Sequence, residues 1–249
     1  IIKKVIITTD KLLCFCAKYI VAEGMGVKND LLAYKITKKP IDIIGNGNVA
    51  GVDTNYYSPS AVNIKEVDLS IPKENFIMCF VGRLAIDKGI KELTEAFKIL
   101  PKNIVLVLVG DLDKREPIKL ELLNFINTHN RIHWVGFKDD IRPYLKLSNI
   151  LVLPSYREGF PNVVLQALAM KTPVIATNIN GCNEIIEHGN NGWLIPKKDK
   201  KSLVNTILNA SKFSRHDLIL MGENGRNIVK EKFEKSKHLP RVLDFYSSK

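Results

Sequence analysis

The chain has 249 residues, 45% of them hydrophobic, and carries 37 Lys and Arg against 26 Asp and Glu for a formal net charge of +11. This composition excludes a disordered or collagen-like polypeptide, and no apolar run approaches the roughly 18–20 residues of a membrane-spanning helix. The basic excess suits an anionic partner, whether nucleic acid, a phosphorylated small molecule or an acidic membrane surface, without choosing among them.

The length allows one large or two modest domains. Cys14, Cys16, Cys79 and Cys182 match no zinc or disulfide spacing and read as buried or incidental thiols of a reducing compartment. A start at Ile1, without methionine, leads us to expect a fragment.

In chain order, Val5 to Ile7 reads as a short strand and Thr9-Asp10 as the cap of a helix carrying Leu12, Leu13, Cys16, Tyr19 and Ile20, stopped by Gly24 and Gly26. A lysine-rich connection ends at Pro40, and Ile41 to Ile44 forms another strand. The Gly-Asn-Gly that follows suggests a dinucleotide fingerprint, but no helix comes after it. A glycine-rich hinge over Gly45 to Asp53 is the competing reading.

From Phe76 strands and helices alternate. Strands are predicted at Phe76 to Gly82, Ile104 to Val109, Ile132 to Val135, Ile150 to Leu153, Val174 to Ala176 and Trp193 to Ile195. Helices fall at Asp87 to Leu100, near Ile118 to Thr128, near Ile141 to Leu147, from Pro161, and at Glu184 to His188. Continuous β-branched and leucine runs such as Ile104 to Val109 mark strands buried on both faces, so the expected fold is an open parallel sheet that binds its ligand at the strand carboxyl ends. The last third is helical: Lys201 to Ser211, Asp217 to Phe233, and a final helix in which Pro240 should occupy the first turn.

Two loops could carry chemistry. After the Phe76 strand, Gly82-Arg-Leu-Ala-Ile-Asp-Lys-Gly89 brings Arg83 and Lys88 over the strand ends, where two cations beside a helix start can hold a pyrophosphate and stabilise charge growing on it. The plainer reading is a surface loop capped by Asp87. After the Ile150 strand, Glu158 and Gly159 precede a helix opened by Pro161, whose Asn162, Gln166 and Ala169 share one polar or small face while Val163, Val164, Ala167, Leu168 and Met170 supply packing. The acidic pairs Asp111/Asp113 and Asp139/Asp140 suggest a divalent metal, but lack a third ligand nearby and fit turn and cap duty. None of the five histidines is assigned a role, and no serine-hydrolase elbow or P-loop is present.

The segments Gly82 to Gly89, Leu153 to Thr177, Asn180 to Pro196 and Gly45 to Asp53 together resemble the retaining glycosyltransferases of family 4, which have the GT-B fold. The resemblance implies an α/β fold with a Rossmann-like doubly wound donor domain over residues 69–235. It implies part of an N-terminal, acceptor-side α/β domain with the hinge over 1–68, and a helix packing back towards it over 236–249. It implies transfer of a sugar from a nucleotide sugar, probably UDP-linked, to a glycan or lipid-linked acceptor, with retention and with neither metal nor cofactor. A cytoplasmic protein, peripheral at the inner membrane face and without a nucleic-acid partner, would follow.

By the same resemblance Arg83 and Lys88 grip the donor pyrophosphate and Glu158 contacts the transferred sugar. These three would be catalytic. Gly82, Gly136, Phe137, Gly159, Phe160, Pro161, Asn162, Val163 and Gln166 complete the donor site. Gln166 departs from the family, which has a glutamate there for the ribose hydroxyls. A neutral acceptor in place of a carboxylate would cost about 1 kcal/mol of donor binding. Two alternatives remain: a non-catalytic or impaired nucleotide-sugar-binding module, or another GT-B enzyme such as a sugar-nucleotide epimerase.

Overall fold

A computed structural model describes residues 2–48, 50–64, 67 and 69–248, with Ile2 and Lys3 described by backbone alone. The N-terminal part differs from expectation. Residues Ile2–Cys16 form one helix, α1, which contains the stretch read as a strand. Thr8 and Thr9 do not cap it; their hydroxyls donate back to the carbonyls of Lys4 and Val5 at 2.9 and 3.0 Å. Tyr19 and Ile20 lie beyond its end.

Helix α2, Met25–Ala33, falls in the stretch read as a connection, because Gly24 begins this helix in extended conformation instead of ending the previous one. Ile41 to Ile44 contributes one bridge, Asp42 to Val21, in place of a strand. Gly45, Gly47, Asn48 and Gly51 have positive φ, and among the described residues Gly45 to Asp53 is followed by turns and a three-residue 3-10 helix, Pro59–Ala61, with no α-helix for a dinucleotide fingerprint. Residues 49 and 68 of the proposed hinge and boundary lie outside the described residues.

The rest is regular. Strand β1, Phe76–Val81, leads through a 3-10 turn to α3, Ile90–Phe97. There follow β2, Ile104–Val109, α4, Leu120–Thr128, β3, Ile132–Trp134, α5, Arg142–Leu147, and β4, Ile150–Leu153. Then come α6, Asn162–Ala169, β5, Val174–Thr177, α7, Cys182–Ile185, and β6, Gly192–Ile195. The chain closes with α8, Lys200–Ala210, α9, Arg215–Ile228, a π turn over Val229–Phe233, and α10, Lys235–Ser247. Among the described residues no helix is long and apolar enough to cross a membrane.

All six strands are parallel, in the order β3-β2-β1-β4-β5-β6. Strand period two explains the double burial. Phe76, Met78 and Phe80 face one side with Leu93 and Phe97, while Ile77 and Cys79 face the other with Val107, Val109 and Tyr144. The order reverses between β1 and β4, and the loops leaving these neighbours must part there and open a crevice.

Pro240 sits beyond the first turn of α10, which begins earlier than expected because Val52 pairs with its start: Val52 N donates to Phe233 O and Lys235 N to Val52 O, at 2.8 and 3.0 Å. Proline at that depth leaves the Ser236 carbonyl without its helical donor. His188, expected at a helix end, lies past α7, where its Nδ1 accepts from Leu194 N at 3.0 Å. Burial pushes the Cys79 and Cys182 thiols up to about 12.

Candidate active site

The β1 and β4 loops are joined across the reversal point. Tyr156 N donates to Asp87 O at 2.8 Å, and Arg157 pairs with Asp87 at 3.5 Å. Gly89 has φ 72°, and a Cβ there would collide with the carbonyl oxygen of Pro154. Glycine alone lets the backbones approach this closely. Gly89→Ala is therefore expected to lower stability by about 2 kcal/mol or more, read as an earlier urea midpoint at unchanged slope.

This approach sets Lys88 Nζ 2.7 Å from Glu158 Oε1, with side chains 20% and 12% exposed. Two residues seventy positions apart thus form one largely desolvated ion pair at the crevice. Arg83 leaves the same loop, pairs with Asp113 after β2, and remains 46% exposed, so its guanidinium is accessible from solvent.

The acidic pairs serve the loops. Asp113 also accepts from Arg115 N at 2.8 Å, and Asp111 Oδ1 accepts from Phe137 N at 3.0 Å. Asp140 makes a two-point pair with Arg142, which holds its carboxyl below the usual range mainly through the hydrogen bond. Among the described residues no group of three metal-ligating side chains is clustered.

Gly136, with φ 70°, accepts from Gly110 N at 2.8 Å, and Phe137 beside it is 65% exposed at the end of β3. An aromatic face so open can stack on a planar ligand. Gly82 abuts Gly110, where a Cβ would strike its carbonyl oxygen.

Pro161 stands just outside α6, in extended conformation, and the helix begins at Asn162 with no side chain capping it. Its first-turn amides are left without a side-chain cap, and a helix start that follows a parallel strand belongs to the strands' carboxyl-end side of the sheet. Phe160 is buried with its ring 5.5 Å from Phe233, so only its backbone can meet a ligand. Val163 packs on the core margin and Ala169 is fully buried, which removes Ala169 from the ligand-facing stripe. Gln166 is half-buried and donates to the Tyr57 hydroxyl at 2.8 Å.

Four site-building residues escaped the sequence reading. Asn48 donates to Asn162 Oδ1 at 2.7 Å, while its own Oδ1 accepts from Ala50 N and Gly51 N and its amide donates to Glu23 O. Asn-Gly repeats hinted at this, since asparagine tolerates the left-handed backbone. Arg226 is buried and donates to the carbonyls of Thr54, Tyr57 and Ala169. Glu184 accepts from Met25 N, Gly26 N and Gly181 N at 2.6, 3.0 and 3.2 Å, capping α2 from across the molecule. Tyr57, at Gln166, is the fourth.

An open parallel sheet whose loops converge at a reversal of strand order defines a doubly wound α/β domain that binds ligand at that point. A family profile described as glycosyl transferases group 1 matches residues 63–227, and the chain belongs to that family. The fold is of the GT-B type. CapM of Staphylococcus aureus, a capsular polysaccharide biosynthesis glycosyltransferase, is 28% identical over 230 residues, spanning 90% of this chain and 60% of CapM. The UDP-Gal:alpha-D-GlcNAc-diphosphoundecaprenol alpha-1,3-galactosyltransferase of Escherichia coli is 31% identical over 83% of this chain and 54% of the enzyme. HepE of Anabaena in complex with UDP-glucose superposes with a TM-score of 0.86 at 22% identity, covering 98% of this chain and 68% of HepE. The chain thus spans 60% and 54% of the lengths of these two curated relatives.

Proposed function

We propose that this chain is the nucleotide-sugar-binding half of a retaining glycosyltransferase that uses a UDP-sugar. Residues 69–235 form the donor domain, residues up to 68 belong to the acceptor side and hinge, and 236–249 return towards it. The observation that carries this reading is the Lys88–Glu158 pair at 2.7 Å in the crevice between β1 and β4. It puts a cation for the diphosphate beside a carboxylate for the sugar in a chain of glycosyltransferase family.

In the reaction the bond from the anomeric carbon to the diphosphate oxygen breaks. A new bond forms to the acceptor hydroxyl oxygen on the same face, and the hydroxyl proton passes to the departing phosphate. Arg83, Lys88 and the first-turn amides of α6 stabilise charge that is greatest in the transition state. Glu158 orients the sugar hydroxyls. Gly82, Gly159, Phe160, Pro161, Asn162 and Val163 shape the phosphate and sugar end, while Gly136, Phe137 and Gln166 shape the nucleoside end. The Escherichia coli relative acts by name on a diphosphoundecaprenol-linked sugar, which supports a lipid-linked or glycan acceptor and a cytoplasmic enzyme peripheral to the membrane, in keeping with a charge of +11.

Calorimetric titration with UDP, GDP and ADP tests the donor assignment. Saturable binding of UDP at least about tenfold tighter than that of ADP is expected, a difference of about 1.4 kcal/mol. Absence of heat with all three would overturn the proposal.

A further inference from the structure

Tyr57 and Gln166 meet at the wall of a cavity of about 440 Å³, which Val52, Asp53, Asn162 and Lys235 also line. The Gln166 amide nitrogen donates to the Tyr57 oxygen at 2.8 Å. That contact fixes the orientation of the amide and leaves Oε1 as its remaining acceptor. The Tyr57 hydroxyl proton is not used in that contact and can turn into the cavity.

The pair is held from behind. Tyr57 N donates to Asp53 O at 2.9 Å, Arg226 donates to Tyr57 O and Thr54 O at 2.8 Å each, and the Tyr56 ring packs edge-on to Tyr57 at 5.1 Å. Arg142 stacks 3.7 Å over the Tyr56 ring and donates to Tyr56 O at 3.0 Å. The phenol is therefore preorganised, and little entropy is lost when a ligand takes its proton.

One acceptor and one donor side by side are complementary to a vicinal diol, in which one hydroxyl donates while its neighbour accepts. A carboxylate at position 166 would instead require both hydroxyls to donate. We infer that Tyr57 is a specificity-determining residue of the donor site, forming with Gln166 a neutral acceptor–donor pair that binds the vicinal hydroxyls of the donor's ribose. This rests on the donor-site reading given above.

The test is calorimetry of the chain and of Tyr57→Phe with UDP, 2′-deoxy-UDP and 3′-deoxy-UDP, with thermal unfolding as the control for folding. Tyr57→Phe is expected to weaken UDP about five- to tenfold, the worth of one neutral hydrogen bond. The deoxy analogue already lacking Tyr57's partner should be weakened by less than about twofold, as expected when the shared interaction is gone. Gln166→Leu, which removes the pair from the helix side, should likewise spare one analogue, the one lacking the hydroxyl that donates to Oε1. It is the decisive variant if Tyr57→Phe does not fold. Equal weakening of all three ligands would mark Tyr57 as structural only, and unchanged UDP affinity would also overturn the inference while leaving the donor-site reading intact. If the unaltered chain binds none of the three, both fall together.

Discussion

On the donor-site reading, replacing Lys88 by alanine in the full-length protein is expected to lower kcat about 10²–10³-fold, the usual cost of removing one group aimed at developing transition-state charge. The magnitude follows from where the ammonium sits. It is mostly withdrawn from solvent, 2.7 Å from Glu158, so its field on a diphosphate bound there would be little weakened by water. Nucleotide affinity should fall less than kcat, because ground-state diphosphate already carries charge that Arg83 and the helix start also meet. Arg83→Ala should cost less, since Arg83 is more exposed than Lys88. Steady-state kinetics with a sugar donor decides the matter, and a kcat within about fivefold of the parent would remove Lys88 from the chemistry.

Arg226→Leu is expected to destabilise the fold by about 3 kcal/mol, measured as ΔG from urea unfolding. Leucine keeps apolar contact with the core but donates nothing, and the carbonyls of Thr54, Tyr57 and Ala169 all lose their charge-assisted partner. Burial already bears against the guanidinium, lowering its pKa, and those carbonyls offset the cost. Because the contact to Tyr57 O is only part-buried, the sum stays below three full desolvation penalties. A loss under about 1 kcal/mol would mean that the loop finds other donors. If Tyr57 binds the donor as inferred above, the same variant should also bind UDP more weakly, since Arg226 donates to Tyr57 O.

The parts legible in the sequence are those whose structure is decided locally. Ile104 to Val109 and Ile150 to Leu153 are short runs apolar at every position, the first rich in β-branched residues and both bounded by turn residues, as expected of strands covered on both faces, and the glycines and proline between strands mark the loops. The N-terminal part was misread because tertiary contacts decide it. Gly24 and Gly26 look like helix stops, and nothing nearby announces that Glu184 caps a helix there from about 160 positions away. Val5 to Ile7 is apolar in a way that serves helix or strand alike, and Val5 and Ile6 are more than half exposed on α1. Motif spacing singled out Arg83, Lys88 and Glu158 as candidates, and the structure brings Lys88 and Glu158 into contact. Asn48, Tyr57 and Arg226 were not singled out, since their bonds to Asn162, Gln166 and Thr54 join residues more than a hundred positions apart.

Lys88 and Arg83 each hold a carboxylate of their own chain, Glu158 and Asp113. An incoming anion must compete with these internal partners. A lone phosphate can exchange one ion pair for another of similar strength and gain little. On the donor-site reading a diphosphate would engage both cations, its second contact forming at the high effective concentration of a tethered group, which would make the exchange favourable. On the donor-site reading the same arrangement runs in reverse after transfer. Once the sugar has gone, Glu158 can retake Lys88, and the spent nucleotide faces a competitor built into the loop that held it.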